Sequence, residues 1–168
     1  MKVTEALTAI ESDKTFIDWK EKHKNSYFSS AFTVVKGAEQ ARWELGYYNP
    51  DNNKVITFII EDNKVTMGQE EEVFQKEKKA VMAVQLEDAK VPLQKAIALA
   101  DEFLEKTYPS ESALEKIIVL QSLEEFGLVW NMTYVTRAFN TLNMKISASD
   151  GKILFHELSS LMDMGRFN

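Results

Sequence analysis

The apolar positions of this chain fall into two sets of alternating strands, each preceded by a helical stripe. Ala41 to Tyr48 alternates with Trp43, Leu45 and Tyr47 on one face, and Val55 to Glu61 follows with Ile56, Phe58 and Ile60 in phase. Leu128 to Thr136 repeats the pattern with Trp130, Met132 and Tyr134, and Phe139 to Ser147 follows with Met144 and Ile146, continued by Ala148. Trp43 and Trp130 stand 87 residues apart, and Asp62 and Asp150 of the following turns stand 88 apart. The same tryptophan hairpin is thus present twice, with a one-residue difference placed in the intervening turn. Each copy closes on a tight reversal, Asp62-Asn63 or Asp150-Gly151, built from residues that tolerate positive φ.

The remaining elements follow the same reading. Thr4 suits the N-cap of a first helical turn carrying Leu7 and Ile10, and Ser12-Asp13 can restart a helix through Lys24, with Phe16, Trp19 and His23 on one face. Phe28 to Lys36 is rich in strand formers and Gly37 permits a turn; Asn49 to Asn53 is a turn cluster, and Val65 to Met67 a short strand. The polar stretch Gln69 to Lys79 is the expected linker. Ala80 to Leu86 either closes the first unit as a strand or opens the second. Pro92 suits position N1 of a helix whose stripe is Leu93, Ala96, Ile97, Ala100, Phe103 and Leu104, ending near Tyr108-Pro109. Ile117 to Leu123 is then a strand, Glu124 to Gly127 a turn and Lys152 to His156 a final strand; Leu158 to Met164 adds a short helix ended by Gly165. Helix then four strands, twice, predicts an α+β class: a tandem repeat of a helix packed on an antiparallel four-stranded sheet, with residues 1–79 and 80–168 as the two units.

The outward faces of the two units differ. In the second, Asn143, Lys145 and Ser147 point away from the helix, as on a sheet with one wet side. In the first, the outward set is Val55, Thr57 and Ile59 with Tyr48, too apolar for a solvent face. The first sheet is therefore expected to be covered on both sides, first by packing against the second unit, otherwise by a homodimer or a protein partner. Tyr48, Val55 and Ile59 are the candidate partner-binding residues.

Composition narrows the function classes. The 168 residues are 45% hydrophobic and 27% charged, with net charge −6; the arginines are Arg42, Arg137 and Arg166. Lys76, Lys78 and Lys79 are interleaved with acids, so a nucleic-acid or anionic-membrane surface is not expected. The absence of cysteine removes disulfides, thiol catalysis and thiolate metal sites. No apolar run reaches the roughly 18 residues of a membrane-spanning helix, and Met1 to Glu5 lacks a signal-peptide core. As given, the chain reads as cytoplasmic; a chain trimmed of its leader would read the same and be extracytoplasmic.

Candidate chemistry is sparse. His23 lies among lysines, where a solvated side chain is expected. His156 is adjacent to Glu157, and neighbours on a strand point to opposite faces, so the two make no dyad. Glu70-Glu71-Glu72 lacks histidine partners, and Asp51-Asn52-Asn53 lacks the ligand spacing of a calcium loop. No metal, cofactor or catalytic residue is assigned. Trp43, Tyr47, Trp130 and Tyr134, at period two on helix-facing strands, are expected in the core rather than in a ligand site.

From Val91-Pro92-Leu93-Gln94-Lys95-Ala96-Ile97-Ala98-Leu99-Ala100, then Val129-Trp130-Asn131-Met132 and Ile146-Ser147-Ala148-Ser149-Asp150-Gly151-Lys152-Ile153, the second half resembles the PepSY domain family. Ser147 stands where that family usually carries Asp, and Asp150 where it usually carries Thr. The first half keeps Trp43 and Asp62-Asn63-Lys64-Val65 but lacks the turn glycine. More loosely, the layout is cystatin-like. The resemblance implies a non-enzymatic module that restrains or binds protein partners, in a family that is largely extracytoplasmic. The alternative is a carrier or small enzyme with a pocket between helix and curved sheet. A cone resembling the nuclear-transport-factor-like enzymes would bring His156 together with Asp101 or Tyr134.

Overall fold

The computed structural model describes residues 1–73 and 81–164. The elements are α1 (Val3–Glu11), α2 (Lys14–Lys22), β1 (Tyr27–Lys36), β2 (Glu39–Gln40), β3 (Trp43–Asn49), β4 (Lys54–Glu61), β5 (Lys64–Glu72), α3 (Leu93–Thr107), β6 (Ala113–Leu123), β7 (Gly127–Thr136), β8 (Asn140–Ser147), β9 (Ile153–Ser160) and α4 (Leu161–Met164), with a single 3-10 turn at Leu86–Asp88.

Local chemistry accounts for the helix ends. The Glu5 carboxylate accepts the Lys2 N–H at 2.7 Å, so α1 starts before Thr4, the expected cap. Asp13 Oδ1 accepts the Thr15 N–H at 2.8 Å and restarts the chain as α2, as its position predicts. Pro92 sits one place earlier than expected, at the N-cap of α3, whose buried stripe is Leu93, Ala96, Ala100 and Leu104.

The α+β class holds, but the expected pair of separate four-stranded sheets does not. There is one nine-stranded sheet in the order β5-β4-β3-β1-β6-β7-β8-β9, with β2 paired to β1, and every pairing is antiparallel. The seam is β1 against β6, from Ser30 opposite Gln121 to Val35 opposite Lys116. The physical reason is edge satisfaction. The first strand of each meander has one side unpaired, and joining the two edges satisfies backbone groups that would otherwise need water.

The inward sets are those the alternation predicts. Trp43, Leu45 and Tyr47 lie opposite Ile60, Phe58 and Ile56, and Trp130 and Met132 lie opposite Ile146 and Met144; all are buried. With residues of α1, α2 and α3 they form one continuous core on one side of the sheet.

Two stretches depart from expectation. The glutamates Glu70, Glu71 and Glu72 belong to the edge strand β5, opposite Ile56, Val55 and Lys54, rather than to a linker. Charge suits an exposed edge, where it discourages further strand addition. Residues 81–85 form no strand, although the Val84 N–H donates to the Phe28 carbonyl at 2.9 Å where the β6 pairing stops. Residues 74–80, and with them Lys76, Lys78, Lys79 and the expected boundary at 79/80, lie outside the described residues, as do Gly165 and Arg166.

The turns follow their residues. Asp62 and Asn63 both take positive φ, 50° and 60°, in a two-residue reversal between Glu61 and Lys64. Gly151 takes φ 80°, and a Cβ there would stand 3.0 Å from Leu99 Cδ1. Gly151→Ala is therefore expected to cost about 1–2 kcal/mol, read as a lower urea midpoint at unchanged slope.

Candidate functional site

The three helices of the core, α1, α2 and α3, lie on one side of the sheet and leave the other side open. Alternation places Tyr48, Val55 and Ile59 on that open side. Tyr48 and Val55 are cross-strand neighbours, and Ile59 lies further along β4 opposite Glu44. The Tyr48 hydroxyl donates to Asn53 Oδ1 at 2.7 Å, and its ring meets Tyr27 at 5.6 Å. The expectation that the second unit covers this face is overturned. That unit continues the sheet sideways through β6 instead of stacking on it, because the free edges, not the faces, are what the two halves share.

The seam extends the apolar surface beyond the residues read from the sequence. Phe32 faces Val119 and Val34 faces Ile117 across β1 and β6, and all four are half-buried. The outward row through Ile59 thus runs Ile59, Glu44, Phe32, Val119, Asn131, Lys145, Phe155 from β4 to β9. Part of the signal for these four was present: Ile117 to Leu120 is a continuous apolar run and only Thr33 interrupts Ala31 to Val35, the pattern of a strand segment with two apolar faces, but that they meet is decided only by the β1–β6 pairing.

Beyond the seam the face turns polar. Asn143 Nδ2 donates to Asn131 Oδ1 at 2.8 Å, and Lys145 Nζ donates to Asn143 Oδ1 at 2.8 Å. The Lys145 ammonium sits 4.1 Å from the Phe155 ring centre and 5.7 Å from that of Phe126. Burial lowers its pKa, against the opposing pull of Glu157 and Glu125. Ser147, expected to be wet, is buried, and its hydroxyl accepts the backbone N–H groups of Ser149 and Asp150 in the turn.

On the helix side, the recurring aromatics are core residues with matched polar contacts. Trp43 Nε1 donates to the Met1 carbonyl and Trp130 Nε1 to the Val91 carbonyl, each at 2.9 Å and each two residues ahead of a helix. The Tyr47 hydroxyl donates to Glu11 at 3.2 Å and the Tyr134 hydroxyl to Asp101 at 2.8 Å; both carboxylates occupy the ninth position of their helix. Burial, first, and the adjacent carboxylate, second, push both phenols far above the ordinary tyrosine range. A cleft of about 480 Å³ lies between the starts of α1 and α3, walled by both tryptophans with Val3, Leu86, Val91 and Leu93.

The residues considered for catalysis separate. Asp101 and Tyr134 do converge, but with Lys116, whose Nζ lies 2.8 Å from both Asp101 oxygens. His156 is exposed and elsewhere: its Nδ1 meets the Tyr108 hydroxyl at 2.8 Å, and its ring lies on Phe103 at 4.8 Å. His23 is not the freely solvated side chain expected. It stacks on Trp19 at 4.9 Å, bonds the Trp19 carbonyl through Nδ1 at 2.8 Å and stands 4.0 Å from Glu70. The Asp51 carboxylate accepts from the Asn25 side chain in a turn ordered by Asn49 and Asn52. Among the described residues no group of three or more His, Asp or Glu side chains is arranged to hold a metal ion, and no helix is long and apolar enough to cross a membrane.

No family model and no curated protein matches the chain. A crystal structure of a protein provisionally described as a lipoprotein, from Clostridium difficile 630, is similar in fold, with a TM-score of 0.60 at 14% identity over 95% of this chain and 93% of that one. The likeness spans both halves and the seam between them.

Proposed function

We propose that the chain is a non-enzymatic protein-binding module of two PepSY-like units, docking a partner on the open face of its sheet. The observation that carries this reading is the contiguous, half-buried apolar stripe of Phe32, Val34, Ile117 and Val119 at the seam, flanked by Tyr48, Val55 and Ile59. Aromatic and branched side chains at the centre with Glu44, Asn131 and Lys145 around them make an apolar core with a polar rim, the usual anatomy of an interface. The matched Trp–carbonyl and Tyr–carboxylate contacts support an internal duplication. The fold shared with a protein described as a lipoprotein supports an extracytoplasmic location.

Ile59→Glu puts a charge beside the stripe without touching the core. The expected result is an unchanged circular dichroism spectrum, with loss of whichever protein the wild type retains from extracts of its source cell. A fall in solution mass instead identifies that partner as a second copy. Retention of the same proteins and the same mass by both forms excludes this face as the interface. A carrier reading draws support from the 480 Å³ cleft, whose size falls in the range of small-ligand sites.

A further inference from the structure

The two halves differ at one wall of an otherwise matched arrangement. In the second half Tyr134 pairs with Lys116, and the Lys116 ammonium lies against Asp101 and 5.1 Å from the Tyr134 ring centre. In the first half Tyr47 pairs with Phe28, so among the described residues no lysine stands beside the Glu11 carboxylate and the Tyr47 ring. A groove of about 660 Å³ opens there.

Its inner wall is aromatic and acidic. Phe16 lies 4.9 Å and Phe28 5.7 Å from the Tyr47 ring, with Glu11 above them. The outer wall comes from α2 and the turn after it, with Lys20, Glu21, Lys24 and Ser26. Phe28 takes the register position of Lys116, and Lys20 does not supply the missing ammonium, because its Nζ is taken up by the carbonyls of Lys24 and Ser26. The Ser26 hydroxyl, on a residue only 4% exposed, has no hydrogen-bond partner among the described residues. An unpartnered buried acceptor, a carboxylate and a set of ring faces together are what an alkylammonium group requires.

We propose that this groove binds the side-chain ammonium of a lysine presented by a partner polypeptide, in the role that Lys116 plays internally in the second half. The aliphatic arm lies on Phe16, Phe28 and Tyr47, and the ammonium meets Glu11. A lysine arm demonstrably fits the matching tyrosine and carboxylate of the other half, and the net charge of −6 favours a basic partner segment. The groove lies on the helix side of the sheet, so it stands or falls independently of the open face.

The test is titration of isotopically labelled protein with the peptide acetyl-Gly-Lys-Gly-amide, against acetyl-Gly-Norleucine-Gly-amide, followed by amide chemical shifts. Saturable shifts confined to residues 16–28 and 45–49 are expected with the lysine peptide, at a Kd of about 1 mM. Glu11→Gln is expected to weaken binding about tenfold, the order of one charge-assisted contact. Lys116→Met vacates the second place and is expected to add a second saturable set of shifts around Asp101 and Tyr134. The proposal is overturned if the norleucine peptide binds equally well, if Glu11→Gln binds as tightly as wild type, or if the lysine peptide produces no saturable shifts.

Discussion

Trp130→Ala is expected to destabilise the protein by about 3–5 kcal/mol, the range for truncating a fully buried large aromatic. The indole is 1% exposed, lies between Leu120 and Ile146 on the flanking strands, and packs in the core shared by both halves. Its Nε1–H is also the partner of the Val91 carbonyl, so truncation removes a hydrogen bond at the entry to α3 as well as apolar area. Against a total of roughly 5–15 kcal/mol the loss is large, and the melting temperature is expected to fall by about 10 °C for a chain of this size. Urea denaturation followed by circular dichroism measures it. Trp130→Phe keeps most of the volume and is expected to lose about half as much. A near-neutral Ala variant would show that the ring is not part of the core and would favour a ligand-site role for it instead.

The second large effect is expected at the Asp101–Lys116–Tyr134 cluster. Asp101→Asn keeps the size of the side chain but leaves the Lys116 ammonium, 15% exposed, without its counter-charge. Breaking a fully buried pair in this way costs about 3–5 kcal/mol; Asp101 is 43% exposed, so about 2 kcal/mol is expected here. Adding Lys116→Met removes the stranded charge. The double variant should therefore recover more than half of the loss, a coupling that a double-mutant cycle reads directly. Equal losses in the single and double variants would mean that the ion pair contributes only packing. Glu11→Gln, the matching change in the first half, has no lysine to strand and is expected to cost well under 1 kcal/mol.

The legible parts of the fold are those set by short-range periodicity. The helix-facing sets on β3, β4, β7 and β8, the stripe of α3 and the Asp62-Asn63 reversal follow from period two, period 3.6 and turn chemistry, and the structure places them accordingly. The edge strand β5 was legible only at Val65 to Met67; its far end was obscured because Glu70, Glu71 and Glu72 have the polarity of a linker, and an exposed edge needs no alternation of apolar residues. Strand β9 runs on to Ser160, past the expected His156, although Leu154 and Phe155 break its alternation. At the candidate surface, the shared outward direction of Tyr48, Val55 and Ile59 was readable from β3 and β4 alone. The contribution of Phe32 and Val119 was not, since they meet only where β1 and β6 pair across 87 residues of chain.

The residue order alone was enough to specify most of the helical and strand segments, which side of β3, β4, β7 and β8 is apolar, and the recurrence of a tryptophan-led strand pattern in the sequence. Whether two such meanders stack face to face or fuse edge to edge was settled only in three dimensions. The groups that join β1 to β6 are backbone N–H and C=O, the same for nearly every residue, so the side-chain pattern carries no label for the pairing. That choice leaves one face uncovered by α1, α2 and α3, and it turns a stretch of apolar strand into a surface.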